Sequence, residues 1–262
     1  MKSYVQFTLL FVVMALMSLS IYADDDNYAY APYAALYNVA LKINENIGNL
    51  DTLYVQIKAR SKLCDIAPNG IKLNIKPSDG KNITVPLDGD ARGIFPLYNS
   101  LADSNARVVS NQPKATLSLS VTLGINIPKN IDLPYDKLMQ PLSDFNNVLK
   151  KQAGFFSWLA PTAQGLVLIY YGTAATATIA GSHGLIEYTA EDAGGYHNLP
   201  VGVKIIKLTY DKKLDNENPT VHISSEPDAV DPLFSESVEQ KISKSTKKCQ
   251  PSNVIEHGTS GG

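Results

Sequence analysis

From Leu53 onward, apolar side chains recur at every second position. Leu53, Val55 and Ile57 alternate with polar residues, as do Ile71, Leu73 and Ile75, then Ile83, Val85 and Leu87. The longest run sets Leu117, Leu119, Val121, Leu123, Ile125 and Ile127 against Ser118, Ser120, Thr122 and Asn126. Successive side chains of a strand point to opposite faces, so this rhythm predicts strands with one face in a core and one in water. Pro68-Asn-Gly70, Pro77-Ser-Asp-Gly80 and Asp88-Gly89 supply turns between them. Short strands at this spacing predict a sandwich or barrel rather than βαβ units.

Two stretches depart from period two. In residues 33–48, Leu36, Ala40, Ile43 and Ile47 fall at helical spacing before Gly48, although Tyr37, Val39, Leu41 and Ile43 also alternate; the glycine stop favours a helix. In residues 134–153, Leu138, Leu142, Phe145, Val148 and Leu149 form a helical stripe, with a break or fresh start expected at Pro141 and an end at Gly154. This second helix reads as a connector between two β regions. Residues 152–186 carry no Lys, Arg, Asp or Glu. Pro161, Gly165 and Gly172 divide that stretch, so a strand pair, with Leu166–Tyr171 as a buried strand, accounts for it better than a membrane span.

The two regions echo one another. A turn at Ser78-Asp-Gly80 leads to Asp90-Ala-Arg-Gly93, and one at Ser182-His-Gly184 leads to Asp192-Ala-Gly-Gly195, 102 residues further on. Each then reaches an asparagine, Asn105 before Ala-Arg-Val-Val and Asn218 before Pro-Thr-Val-His. An internal duplication is the expectation. The predicted fold is mainly β: two tandem β-sandwich-like domains, at 24–130 with an N-terminal helix and at 161–234, joined by a helical connector at 131–160 and followed by a polar tail at 235–262.

The first 23 residues change where this fold is expected to work. Lys2, the apolar run Phe7–Met17 and a small residue at Ala23 make a secretory signal peptide, with cleavage after Ala23. The apolar run is shorter than the roughly 20 residues that span a bilayer. A periplasmic or secreted protein follows, with no stable membrane span in the mature chain. The whole chain has 23 Lys+Arg against 25 Asp+Glu and is 44% hydrophobic. Mixed, nearly balanced charge gives no footprint for nucleic acid or an anionic membrane, and the apolar content supports a core. Cys64 and Cys249 are the two cysteines. In an oxidising compartment they are candidates for a disulfide, with two separate thiols as the alternative.

Leu50-Asp51 before a strand, Lys62 onward to Pro68-Asn-Gly-Ile-Lys-Leu73, and Asn111-Gln-Pro-Lys114 before Leu117-Ser-Leu119 together resemble a group of exported Gram-negative bacterial proteins of unknown function. The resemblance implies a periplasmic β protein and carries no catalytic residues.

Chemistry-bearing patterns are sparse. His183, His197, His222 and His257 stand apart in sequence, so no metal-ligand spacing is present; Glu191 and Asp192 near His197 leave a carboxylate–imidazole pair open. Asp88-Gly-Asp90 matches half of a calcium loop without its later ligands. No Gly-x-Ser-x-Gly elbow or phosphate-binding glycine pattern occurs. No catalytic, cofactor or metal residues are assigned. Aromatic residues remain: Phe155, Phe156 and Trp158 after the second helix, and Tyr28, Tyr30, Tyr33 and Tyr37 near the mature N-terminus. Exposed, they would stack on sugars or anchor a partner; buried, Trp158 would plug the space between the two β regions. The leading expectation is a non-enzymatic, envelope-associated binding protein whose partner is a glycan or protein. The alternatives are an envelope-directed hydrolase with a loop-assembled site, and a surface-assembly or adhesin-like module.

Overall fold

A computed structural model describes residues 22–23, 28–63, 65–129, 131–182, 184–194, 196 and 199–245. It is mainly β, in four antiparallel sheets. Two compact units interleave along the chain: one comprises residues 28–38 with Ile57–Ser120, the other Val39–Gln56 with Val121–Ser245.

A first run of elements is β1 (Tyr22–Ala23), β2 (Tyr28–Pro32), α1 (Tyr33–Ile47), β3 (Leu53–Ser61), β4 (Leu73–Lys76), β5 (Ile83–Val85), β6 (Arg92–Ile94), α2 (Asn99–Asp103), β7 (Arg107–Pro113) and β8 (Leu117–Ile125). A second run is β9 (Asp132–Pro134), α3 (Tyr135–Ala153), β10 (Gly165–Tyr171), β11 (Thr176–Gly181), β12 (Gly184–Thr189), β13 (Glu191–Asp192), β14 (Val203–Thr209), α4 (Lys212–Glu217), β15 (Thr220–Ile223) and β16 (Ala229–Leu233), followed by α5 (Glu236–Ser245).

These runs follow one plan. Strand order β2-β7-β4-β5 in the first is matched by β9-β15-β11-β12 in the second, and β6-β3-β8 is matched by β14-β10-β16. Register agrees as well. Pro32 faces Arg107 and Ala31 faces Val108, as Pro134 faces Thr220 and Leu133 faces Val221. Helix α3 follows β9 as α1 follows β2, so it holds in the second run the place of α1 in the first. The left-handed residues after the short helices, Asn105 (φ 53°) and Asn218 (φ 48°), also correspond.

The Asp90 and Asp192 segments do not correspond. Asp90 lies in the turn that leads into β6, which lies beside β3, whereas Asp192 sits in β13 and pairs with β14, the counterpart of β6. Their 102-residue spacing matches that of Tyr33 and Tyr135, but the offset has grown to 113 by Asn105 and Asn218. Both segments are turn-rich, and turn chemistry alone makes them look alike.

Hydrophobic burial explains the elements. Tyr33, Leu36 and Ala40 are fully buried along α1, and Leu73 and Ile75 on β4. Strand β10 is buried along nearly its whole length, because sheet neighbours flank both edges and apolar residues occupy both faces. Helix α3 continues through Pro141 without the expected break. A proline there forfeits one backbone hydrogen bond and costs about 3 kcal/mol. Burial of Leu138, Met139, Leu142, Phe145 and Val148 on either side of it opposes that cost. No described helix is long and apolar enough to cross a membrane. The tail beyond Ser245 and residues 1–21 lie outside the described residues.

Candidate functional site

The chain after α3 builds the most exposed aromatic feature among the described residues. Helix α3 ends at Gly154, whose φ of 53° and ψ of −123° fall where a Cβ is poorly tolerated. Its amide donates to the carbonyls of Lys150 and Lys151, closing the helix. A 3-10 turn, Gly154–Leu159, follows, and the chain returns to β10 at Gly165. The return is pinned by Asn146: its Nδ2 donates to the carbonyl of Ala163 (3.0 Å), and the amide of Ala163 donates to its Oδ1 (2.8 Å). The turn therefore stands on two fixed feet.

In the first run, α1 also ends on a left-handed glycine, Gly48 (φ 62°), but the chain reaches β3 within residues 49–52. The 3-10 turn is what the second run has in addition.

Its rings face solvent. Phe155 is 87% exposed, Trp158 69% and Phe156 42%. The segment kinks at Phe156 (φ −94°, ψ 18°), between Phe155 and Trp158. Phe155 and Phe156 meet edge to face, with centroids 5.4 Å apart and planes at 86°. Trp158 is thus not a buried plug. Lys150 and Lys151, also exposed, flank the turn on the last turn of α3.

The N-terminal tyrosines divide between structural and surface places. Tyr33 and Tyr37 are buried and stacked (centroids 5.9 Å). Tyr30 lies under the guanidinium of Arg107 at 4.7 Å. Tyr28 is exposed.

A charged cluster in the unit containing residues 57–120 went unread in the sequence. Asp90 Oδ2 accepts from Lys58 Nζ (2.6 Å) and from Arg92 Nε (2.8 Å) and Nη2 (2.7 Å), with Asp90 and Arg92 both buried. Asp88 Oδ1 accepts the amides of Asp90 (2.9 Å) and Arg92 (2.8 Å). Burial pushes the Asp88 carboxyl up, against the pull of those amides. Burial likewise draws the Arg60 guanidinium down, with the Asp90 charge opposing. Asp88-Gly-Asp90 therefore organises a turn and an ion-pair cluster rather than a calcium loop. Its one sequence signal is Lys58 and Arg60, two apart and so on one face of β3.

His222 Nδ1 lies 2.7 Å from Asp132 Oδ1, both exposed, where β15 faces β9. The carboxylate–imidazole contact seen among the described residues is thus a cross-strand pair. His183, His197 and His257 lie outside the described residues, as do Cys64 and Cys249. Among the described residues no group of three or more His, Cys, Asp or Glu is placed to hold a metal.

Residues 32–170 match a family described as "Protein of unknown function (DUF2987)". No curated protein and no solved structure matches the chain. The matched span takes in α1, the whole of α3 and the aromatic turn. Since it covers more than half of the sequence, the chain belongs to this family of unknown function.

Proposed function

We propose that the chain is exported from a Gram-negative cell by cleavage after Ala23, and acts in the periplasm or outside the cell as a non-enzymatic binding protein of the envelope. Cleavage there detaches the two-residue strand β1 from β2. The binding element is the turn carrying Phe155, Phe156 and Trp158. One observation carries the reading: of two matched runs built from a duplicated plan, one carries a rigidly footed turn whose large rings lie in water. Exposing such rings forgoes about 1.5–3 kcal/mol of burial each, and an interface recovers it.

Sedimentation with isolated envelope tests the reading. Wild-type protein is expected to co-sediment, and Phe155→Ser/Trp158→Ser to remain in solution with an unchanged far-ultraviolet circular dichroism spectrum. Equal sedimentation of both overturns it. Amino-terminal sequencing of the secreted chain tests the cut at Ala23, and non-reducing mass analysis tests a bridge between Cys64 and Cys249.

The exposed edge strand β12 favours a second reading, a surface-assembly module. Leu185 is 68% exposed and Ile186 40% on this outer strand, and unpaired edges template strand addition. Assembly through β12 predicts oligomers in light scattering that Ile186→Lys dissolves. A strictly monomeric wild type at high concentration counts against it.

A further inference from the structure

We infer that the envelope component engaged by the aromatic turn is a membrane surface bearing anionic phospholipid; the inference rests on the binding role proposed for that turn and names its partner.

Three observations select lipid. Phe155 and Trp158 protrude at the end of α3, held by Gly154 and the Asn146–Ala163 clamp, so they enter a partner without the supporting chain rearranging. Aromatic rings of this kind settle at the boundary between headgroups and acyl chains, to a depth of roughly 5–10 Å. Lys150 and Lys151 are exposed on the helical turn just before the rings, where ammonium groups meet lipid phosphates as the rings enter. Beyond them no Lys, Arg, Asp or Glu occurs from Gln152 to Ile186, so the turn itself brings no charge into the hydrocarbon boundary.

The same geometry disfavours a sugar. A glycan needs a flat platform with polar groups beside it, whereas Phe155 and Phe156 are set at 86° to each other, and Ser157 is the only polar side chain from Gly154 to Leu159. No described helix is long and apolar enough to span a membrane.

Trp158 is the chain's single tryptophan, so intrinsic emission reads this site alone. The protein as recovered from expressing cells is titrated with vesicles of phosphatidylcholine, with and without phosphatidylglycerol, and emission and sedimentation are followed together. The expected result is a blue shift and sedimentation with the anionic vesicles only, weakened by salt. Lys150→Gln/Lys151→Gln is expected to weaken binding roughly tenfold or more. Phe155→Ser/Phe156→Ser, which keeps the reporter, is expected to lose most of the shift while its melting curve is unchanged. An unshifted Trp158 with both vesicle types overturns the inference. If the protein then still sediments with peptidoglycan or envelope protein in a ring-dependent way, the wider binding role survives; if it sediments with none of these, both fall. Vesicle binding unaffected by loss of the two phenylalanines also overturns the inference, because some other segment then makes the contact.

Discussion

Tyr33 and Tyr135 make the same three hydrogen bonds in the two matched runs. The amide of Tyr33 donates to Ala106 (2.8 Å), its hydroxyl donates to the carbonyl of Pro96 (2.6 Å), and that hydroxyl accepts the amide of Tyr98 (2.9 Å). The amide of Tyr135 donates to Pro219 (2.9 Å), its hydroxyl to the carbonyl of Thr209 (3.5 Å), and the hydroxyl accepts the amide of Asp211 (2.8 Å). Each follows a proline, opens a helix and is fully buried. Each thus ties a helix start to the strand that ends before a short helix. Tyr33→Phe and Tyr135→Phe leave a carbonyl and an amide unpaired, and each is expected to cost about 1–3 kcal/mol. Thermal melts check this, at about 2–4 °C per kcal/mol for a chain of this size.

Burial pushes the Tyr135 and Tyr170 phenols up to about 12 from the ordinary 10.0, and raises that of Tyr33. The folded state thus holds these protons more tightly than the unfolded one. The stability that Tyr135 and Tyr170 confer is complete below pH 10 and is lost as pH rises through about 12. Melting temperature is expected to fall steeply above pH 10 on this account. Tyr170 differs from Tyr135 in one respect: its buried hydroxyl has no hydrogen-bond partner. Tyr170→Phe is therefore expected to be neutral or stabilising by up to about 1 kcal/mol at neutral pH, and to flatten part of the alkaline loss.

Asp90 is the shared acceptor of Lys58 and the buried Arg92. Asp90→Ala removes the carboxylate that Lys58 shares with Arg92, whose side chain is only 4% exposed. Removing one partner of a buried ion pair costs about 3–5 kcal/mol, and urea unfolding is expected to show a loss in that range. Asp90→Ala/Arg92→Leu, which also removes the buried guanidinium, is expected to recover part of it.

Much of the fold was legible because burial writes itself into spacing. The alternation from Leu117 to Ile125 is strand β8, the stripe Leu138–Val148 is the buried face of α3, and Gly48 and Gly154 end their helices. Pro141 misled, since tertiary burial on both sides of it outweighs a local helix-breaking cost. The repeat was visible through Asn105 and Asn218 but also falsely through Asp90 and Asp192. Its firmest marks, Pro32-Tyr33 and Pro134-Tyr135, looked like ordinary turn and aromatic residues. The Lys58–Asp90–Arg92 cluster depends on strands brought together from separate segments, a relation that no local pattern records. Of the candidate site, the identity of Phe155, Phe156 and Trp158 was legible; their exposure required knowing that the chain leaves α3 and returns to β10 through a projecting turn.

Two glycines separate backbone from side-chain crowding. A Cβ on Gly165 would run into the carbonyl oxygen of Leu208 on β14, and one on Gly124 into the ring of Tyr54. Backbone held in a sheet cannot yield, whereas a half-buried ring can turn aside. Gly165→Ala is expected to cost about 3 kcal/mol or more and Gly124→Ala clearly less, as chemical denaturation would read out. Equal costs would contradict the distinction.

The exposed turn is the claim on which the functional reading depends, and collisional quenching of Trp158 by acrylamide, in the free protein and after addition of envelope membranes, tests it most directly. The account predicts red-edge emission and ready quenching in the free protein, then a blue shift and protection once membranes are present. A Trp158 already blue-shifted and shielded in the free protein, or one that membranes leave unchanged, contradicts it.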